Sequence, residues 1–202
     1  PLTPEVLAPD EPHGKGVESF LQAGLARLRE RVRQSEGLNQ QLLENGRDNL
    51  TTLTQIHECV LQLLAASSFE ELAQVAVEDL SIILNLDVVN LCVEAGAGED
   101  LPVSGLQIIQ PGSIDRLIPL NRTIVLRDNI SGDPELFGGA APLIQSDALV
   151  RLDISPETPP AMLAFGSREP ERFHHSQATE LLSFLARALA ELIRIFLGLP
   201  AD

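Results

Sequence analysis

Between Ala148 and Leu197 two strand patterns and one apolar helix pattern follow one another almost without interruption, and that order limits what the chain can fold into. Ala148, Val150, Leu152 and Ile154 alternate with Leu149, Arg151 and Asp153, the period of two expected of a half-buried strand. Pro156, Pro159 and Pro160 punctuate a turn, and Ala161 to Ser167 reads as a second strand. From His175 or Ser176 the pattern is helical. Leu181, Leu182, Leu185, Ala188, Leu189, Leu192 and Phe196 share one broad face, which Phe184, Ile193, Ile195 and Leu197 widen. A helix apolar over so much of its circumference predicts a subunit contact along residues 176–197 as well as a core.

The other end of the chain has a different rhythm. Residues 1–16 hold four prolines and two glycines among few large apolar side chains, which predicts a flexible arm. Residues 17–66 then read as one long helix. Steps of four and three from Leu21 reach Leu63 through thirteen positions, nine of them apolar, the spacing of a coiled-coil seam. Asn39 and Asn49 would set register in a paired seam; a break near Gly37 or Gly46 is the alternative, with the helix packing on itself. Unbroken, the helix would be roughly 75 Å long at 1.5 Å per residue. Residues 67–202 are the expected globular domain. Ser67 or Ser68 is placed to cap a helix running to about Asn85, with Glu70 and Glu71 in its first turn. Asp87 to Val93 and Leu106 to Ile109 read as strands, Thr123 to Arg127 as another, and residues 95–105 and 132–139 as loops.

Charge and composition narrow the partners. With 14 basic and 29 acidic residues the net charge is −15, and Lys15 is the only lysine, so nucleic acid is not the expected partner. Residues 70–100 carry eight carboxylates and no cation, a solvated face in the first instance and an acidic docking surface in the second. No apolar run has the length of a membrane span, so no membrane partner is expected. The two cysteines, Cys59 and Cys92, both lie in apolar runs, which predicts buried reduced thiols in a cytoplasmic protein. Trp and Tyr are absent and only seven Phe are available, which disfavours sites that stack flat cofactors. No cofactor is expected.

The order of helix, strand pair, variable middle, strand hairpin and closing helix resembles a GAF domain. Pro12-His13-Gly14, the run from Val17 to Gln22 and Leu25-Ala26-Arg27-Leu28-Arg29 narrow the match. Together with Arg47-Asp48-Asn49, His57, Leu136-Phe137-Gly138, Ser146-Asp147-Ala148-Leu149, Leu163 to Arg168 and Phe173, they resemble the bacterial family called domain of unknown function 484. That resemblance implies an α+β fold: a GAF-like antiparallel sheet with helices on one face, preceded by a long N-terminal coiled-coil helix. It implies no reaction. The chain lacks the Asn-Lys-Phe-Asp-Glu signature of cyclic-nucleotide GAF domains, a cysteine placed for a bilin, and a histidine placed over the cavity for haem.

No motif in the sequence points to catalysis. Gly-x-Ser-x-Gly is absent, and His174-His175 with Glu171 lacks a third ligand at useful spacing for a metal. The polar residues that a small-anion pocket under the 95–140 loops would draw on are Arg116, Arg127, Asp128, Ser146, Arg151, Ser167 and Arg168. The structural alternative is that Asp147 pairs with Arg151 or Arg168 and the loops cover a filled core. Two functions follow. One is a non-enzymatic, dimeric sensory or regulatory module binding a small polar or anionic ligand. The other is a ligand-free scaffold that meets an unknown protein partner through its coiled coil and acidic surface. In either case the expected homodimer uses the Leu21 to Leu63 seam and the closing helix.

Overall fold

The computed structural model describes residues 50–96, 105–173 and 179–200. The chain divides into two compact units, Pro1–Leu50 and Thr51–Asp202, and the second carries the fold described below. The flexible arm, most of the coiled-coil seam and His174-His175 lie outside the described residues.

The strands are β1 (Val88–Glu94), β2 (Leu106–Ile109), β3 (Ile124–Arg127), β4 (Ser146–Leu152) and β5 (Ala161–Ser167), in the sheet order β2-β1-β5-β4-β3. The β4–β5 pair joins Ser146 to Ser167 and Leu152 to Ala161, so the hairpin expected from the sequence forms. One correction concerns direction. β1 and β2 are parallel, with Leu91 beside Leu106 and Glu94 beside Ile109, so the sheet is mixed rather than antiparallel throughout. A four-residue apolar run carries no signal of strand direction, because both pairings bury the same alternate side chains.

The alternation sorts the sheet into two faces. Val89, Leu91, Ala148, Val150, Leu152, Ala161, Leu163 and Phe165 enter one core. Cys92, Leu149, Met162 and Ala164 enter another on the opposite face. All seven residues of β5 are buried, as expected of a central strand covered on both sides. Gly166 belongs to that packing: a Cβ there would lie 2.7 Å from Val88 Cγ1 and 3.0 Å from both Ile144 Cδ1 and Phe137 Cε1.

Long helices cover the first face. They are α1 (residues 51–65 of this unit), α2 (Phe69–Gln74), a π-helical turn (Val75–Asp79), α3 (Leu80–Ile83) and α6 (Glu180–Phe196). Ser68 caps α2, its Oγ accepting from the Glu71 amide at 3.1 Å, while Glu71 Oε2 accepts from the Ser67 amide at 2.7 Å. Ser68 is one of the two caps offered by the sequence, and the reciprocal bond from Glu71 completes a capping box. After α3, Asn85 takes a left-handed φ of 52° and the Leu86 amide returns to Ser81 O at 2.8 Å, closing the helix.

On the opposite face α4 (Ser113–Leu117), α5 (Pro134–Phe137) and a 3-10 turn (Gly138–Leu143) pack Ile114, Ile118, Leu136, Phe137 and Ala141 against the sheet, the filled core that is one of the two readings the sequence allows for these segments. The seam residues Ile56 and Leu63 lie in the main core of the domain with Cys59, so the described part of the expected seam, α1, belongs to the packed unit. Gln55 Nε2 ties it further by donating to Ile83 O at 2.8 Å. Leu63 is 0% exposed and its neighbour Leu61 is 61% exposed. Leu63→Ala is therefore expected to cost the fold of a single copy about 2–5 kcal/mol, and Leu61→Ala about 0.5 kcal/mol or less. Urea unfolding of the two variants checks the contrast; equal losses would remove α1 from the core.

Candidate functional site

From the sequence the middle segments could roof a small pocket or lie over a filled core, and the carboxylates described in and beside them are tied down. Glu94 closes the start of α4, its Oε2 accepting from the Gly112 amide at 2.9 Å and its Oε1 from the Ile114 amide at 2.7 Å. Gly112 has φ 84°, the turn that aims these amides back at β1. Glu135 is the second tie. Its Oε1 accepts from the Gln110 amide at 2.7 Å and from Ser113 Oγ at 2.8 Å, and its Oε2 from Arg116 Nη2 at 3.0 Å. Asn90 and Gln107 donate to the Leu136 and Glu135 carbonyls at 2.6 and 2.9 Å, fastening α5 to β1 and β2. Beneath these bonds lies the second core rather than an open floor.

The arginines nominated from the sequence are committed one by one. Arg116 holds Glu135, and Arg151 holds Asp115 Oδ1 at 2.9 Å and Ile118 O at 2.7 Å. Arg168 holds Asp87, its backbone amide at 2.7 Å and its Nε at 2.6 Å. Arg127 grips Asp147 with two bonds, Nε to Oδ1 at 2.8 Å and Nη2 to Oδ2 at 2.5 Å. The expected partner of Asp147 was Arg151 or Arg168. The register decides otherwise, since Arg127 stands opposite Asp147 on the neighbouring strand and both point to the second face. Ser146 Oγ donates to Glu169 O at 2.6 Å, and Ser167 Oγ accepts from the Glu169 amide at 3.1 Å. Asp128 follows β3 and is also engaged. Arg127, Ser146, Ser167 and Arg168 thus gather at one end of the sheet, whereas Arg116 and Arg151 bind residues on or around α4. The seven do not converge on one cavity.

The partners Glu94, Asp87, Asp115 and Glu135 escaped the sequence reading. Only Glu135 carried a usable signal: Asp133-Pro134-Glu135 is a helix start, with the Asp133 side chain accepting from the Glu135 amide. The others pair across long sequence separations that no local pattern marks.

Electrostatics follow the contacts. Arg127 is pushed up by its hydrogen bonds to Asp147, while burial pushes the Asp147 carboxyl up against the pull of Arg127. Burial holds both thiols, Cys59 and Cys92, up at about 12. Asp87 is lowered, first by the Arg168 amide. Burial works to raise Glu135, but the Gln110 amide, Ser113 and Arg116 together leave it lowered.

A separate hollow lies along α6 on the first face. It is a groove of about 550 Å³ between α6 and the β3–β4 side of the sheet. Val150, Ala186 and Ala190 form its buried floor; Phe184, Arg187 and Asp153 stand at its rim. The small side chains of Ala186 and Ala190 leave the space unfilled. Among the described residues no group of His, Cys, Asp or Glu is arranged to hold a metal, and no helix is long and apolar enough to cross a membrane.

The two lowered carboxyls set a pH dependence. A carboxyl whose folded pKa lies below its unfolded value stabilises the fold above the unfolded pKa, about 4, and that stability is lost as pH falls through the folded pKa. Asp147, whose carboxyl is raised, works in the opposite sense, so the share of the urea midpoint that Asp87 and Glu135 carry should stay level from neutrality towards about pH 5 and fall below about pH 4. The double variant D87N/E135Q should be less stable at neutral pH and lose less on acidification. An unchanged acid slope would mean that these ties add nothing.

Among curated proteins no relative matches the chain. The crystal structure of bacteriophytochrome RpBphP3 from the photosynthetic bacterium R. palustris is similar with a TM-score of 0.49 at 11% identity. The match covers 71% of this chain and 37% of the phytochrome, so the chain spans little more than a third of that protein's length. The GAF domain from Acinetobacter phosphoenolpyruvate-protein phosphotransferase is similar with a TM-score of 0.47 at 15% identity, covering 74% of this chain and 96% of that domain. The family described as protein of unknown function, DUF484, matches residues 10–197, nearly the whole sequence, and this chain belongs to it.

Proposed function

We propose that the protein is a non-enzymatic, GAF-like regulatory module that acts by association through its helical layer, with a homodimer as its working form. The carrying observation is the contrast between the two faces of the sheet. Among the described residues, the face under segments 105–140 carries a packed core and carboxylate ties, which favours the scaffold reading over a small ligand held there. The helices on the other face still present apolar side chains to solvent.

On α1, Leu53, Leu61 and Leu64 are 36%, 61% and 59% exposed. With His57 between them they follow steps of four, four and three, so they form one stripe. It lies beside the buried stripe of Ile56, Cys59 and Leu63. On α6, Phe184 and Ile195 are 50% and 68% exposed and lie on a common side. Each such side chain contributes about 1.5–3 kcal/mol when fully buried. Two copies of a chain with net charge −15 repel one another, so apolar contact must supply the attraction. The expected seam is thereby shifted at its end: Ile56 and Leu63 serve the domain, and the neighbouring stripe is offered to a second copy. The two unpaired buried thiols suit a reducing compartment, the cytoplasm.

Sedimentation equilibrium of the whole chain should give a dimer at micromolar concentration. The double variant L61E/L64E should give a folded monomer, with its circular dichroism unchanged. A monomer for the unaltered protein at every concentration would contradict the proposal.

A further inference from the structure

The groove along α6 carries three unsatisfied features on one surface. Its floor is apolar and empty, Phe184 projects from its rim with half of its surface exposed, and of the five charged residues that line it Arg151, Glu191 and Arg194 are ion-paired while Arg187 and Asp153 are not, among the described residues. Most other described arginines are hydrogen-bonded to a carboxylate or a carbonyl, whereas Arg187 has no partner among the described residues. Asp153 likewise has none among them. A surface that bears both a projecting ring and a hollow, and both a cation and an anion, is complementary to itself. Two-fold pairing requires that property, because residue i of one copy meets residue j of the other and the reverse contact follows by symmetry.

We infer that the groove is an isologous contact in which Phe184 of each copy enters the other's hollow over Val150, Ala186 and Ala190, while Arg187 pairs with the second copy's Asp153. This rests on the homodimer reading above and assigns its α6 contact. The occupant follows from charge and shape together. A small anion would be drawn to Arg187 but repelled by Asp153, with Arg151 and Arg194 already neutralised by Asp115 and Glu191, and it would leave the apolar floor unfilled. An aromatic side chain fills an aliphatic trough, and the flanking pair fixes its orientation. The alanines matter here, since larger residues at 186 and 190 would fill the space the ring needs.

A charge-swap cycle followed by sedimentation tests the contact. Arg187→Asp and Asp153→Arg should each weaken the dimer about tenfold or more by placing like charges together. The double variant R187D/D153R should return to within about threefold of the unaltered protein, because the pair is restored with its polarity reversed. Phe184→Ala should weaken association without lowering the melting temperature of the monomer, since the ring lies outside the core. If the single charge variants and F184A dimerise like the unaltered protein, the α6 contact is wrong while the homodimer stands on another surface. If the singles weaken association and the double does not recover, the Arg187–Asp153 pairing is wrong. If the unaltered protein is monomeric, this contact and the dimer reading fall together.

Discussion

Complete burial of one central strand governs the rest of this structure. β5 hydrogen-bonds to β1 on one side and β4 on the other, and all seven of its side-chain positions are inaccessible. A strand in that position needs cover on both faces of the sheet. The long helices supply it above, through Leu72, Leu80, Leu185 and Leu189. Below, the described segments that cover it are short and turn-rich, so they must be made to pack. Their apolar residues are few, and Ile114, Ile118, Leu136 and Phe137 are each spent on the cover.

The polar groups of the middle segments follow from that demand. A five-residue α4 and a four-residue α5 are too short to hold themselves in place. Glu94 and Glu135 hold them instead, by satisfying backbone amides that would otherwise be buried without partners or left to water. Arg116, Arg151 and Arg127 then balance the carboxylates or pin neighbouring strands. Residues that look from the sequence like a reservoir of ligand-binding charge are therefore engaged in keeping a thin layer closed. The helical layer has the opposite character: it fills its side of the core and still leaves leucines on α1 and a trough beside α6. Exposed leucines on one layer and a packed second face are two consequences of one uneven distribution of apolar side chains.

How much of this was legible before folding depended on the range of the interaction. The β4–β5 hairpin, the Ser68 cap and the apolar closing helix were readable, because alternation, capping and three-to-four spacing are local signals. The parallel entry of β2 was not, nor were α5 and the 3-10 turn within what read as a loop from Gly132 to Gly139. Helices that short leave no periodic trace. The candidate site fared least well. Arg127 and Asp147 were both singled out, but their pairing depends on the β3–β4 register, and Arg168 finds Asp87 across 81 positions of sequence. Which face of the long helix turns inward was also undetermined, since Ile56 and Leu61 both fit an apolar helix and only tertiary packing separates them.

Met162 offers the most direct test that the second face is a packed core, because it is the only methionine of the chain and it lies 0% exposed in that core. Its methyl group, labelled with carbon-13, should give one sharp resonance in the spectrum of the folded protein. A soluble paramagnetic agent should not broaden it, and a small-molecule extract of bacterial cytoplasm should not move it. Rapid paramagnetic broadening, or a saturable shift with the extract, would show an accessible chamber beneath α4 and α5 and contradict the account.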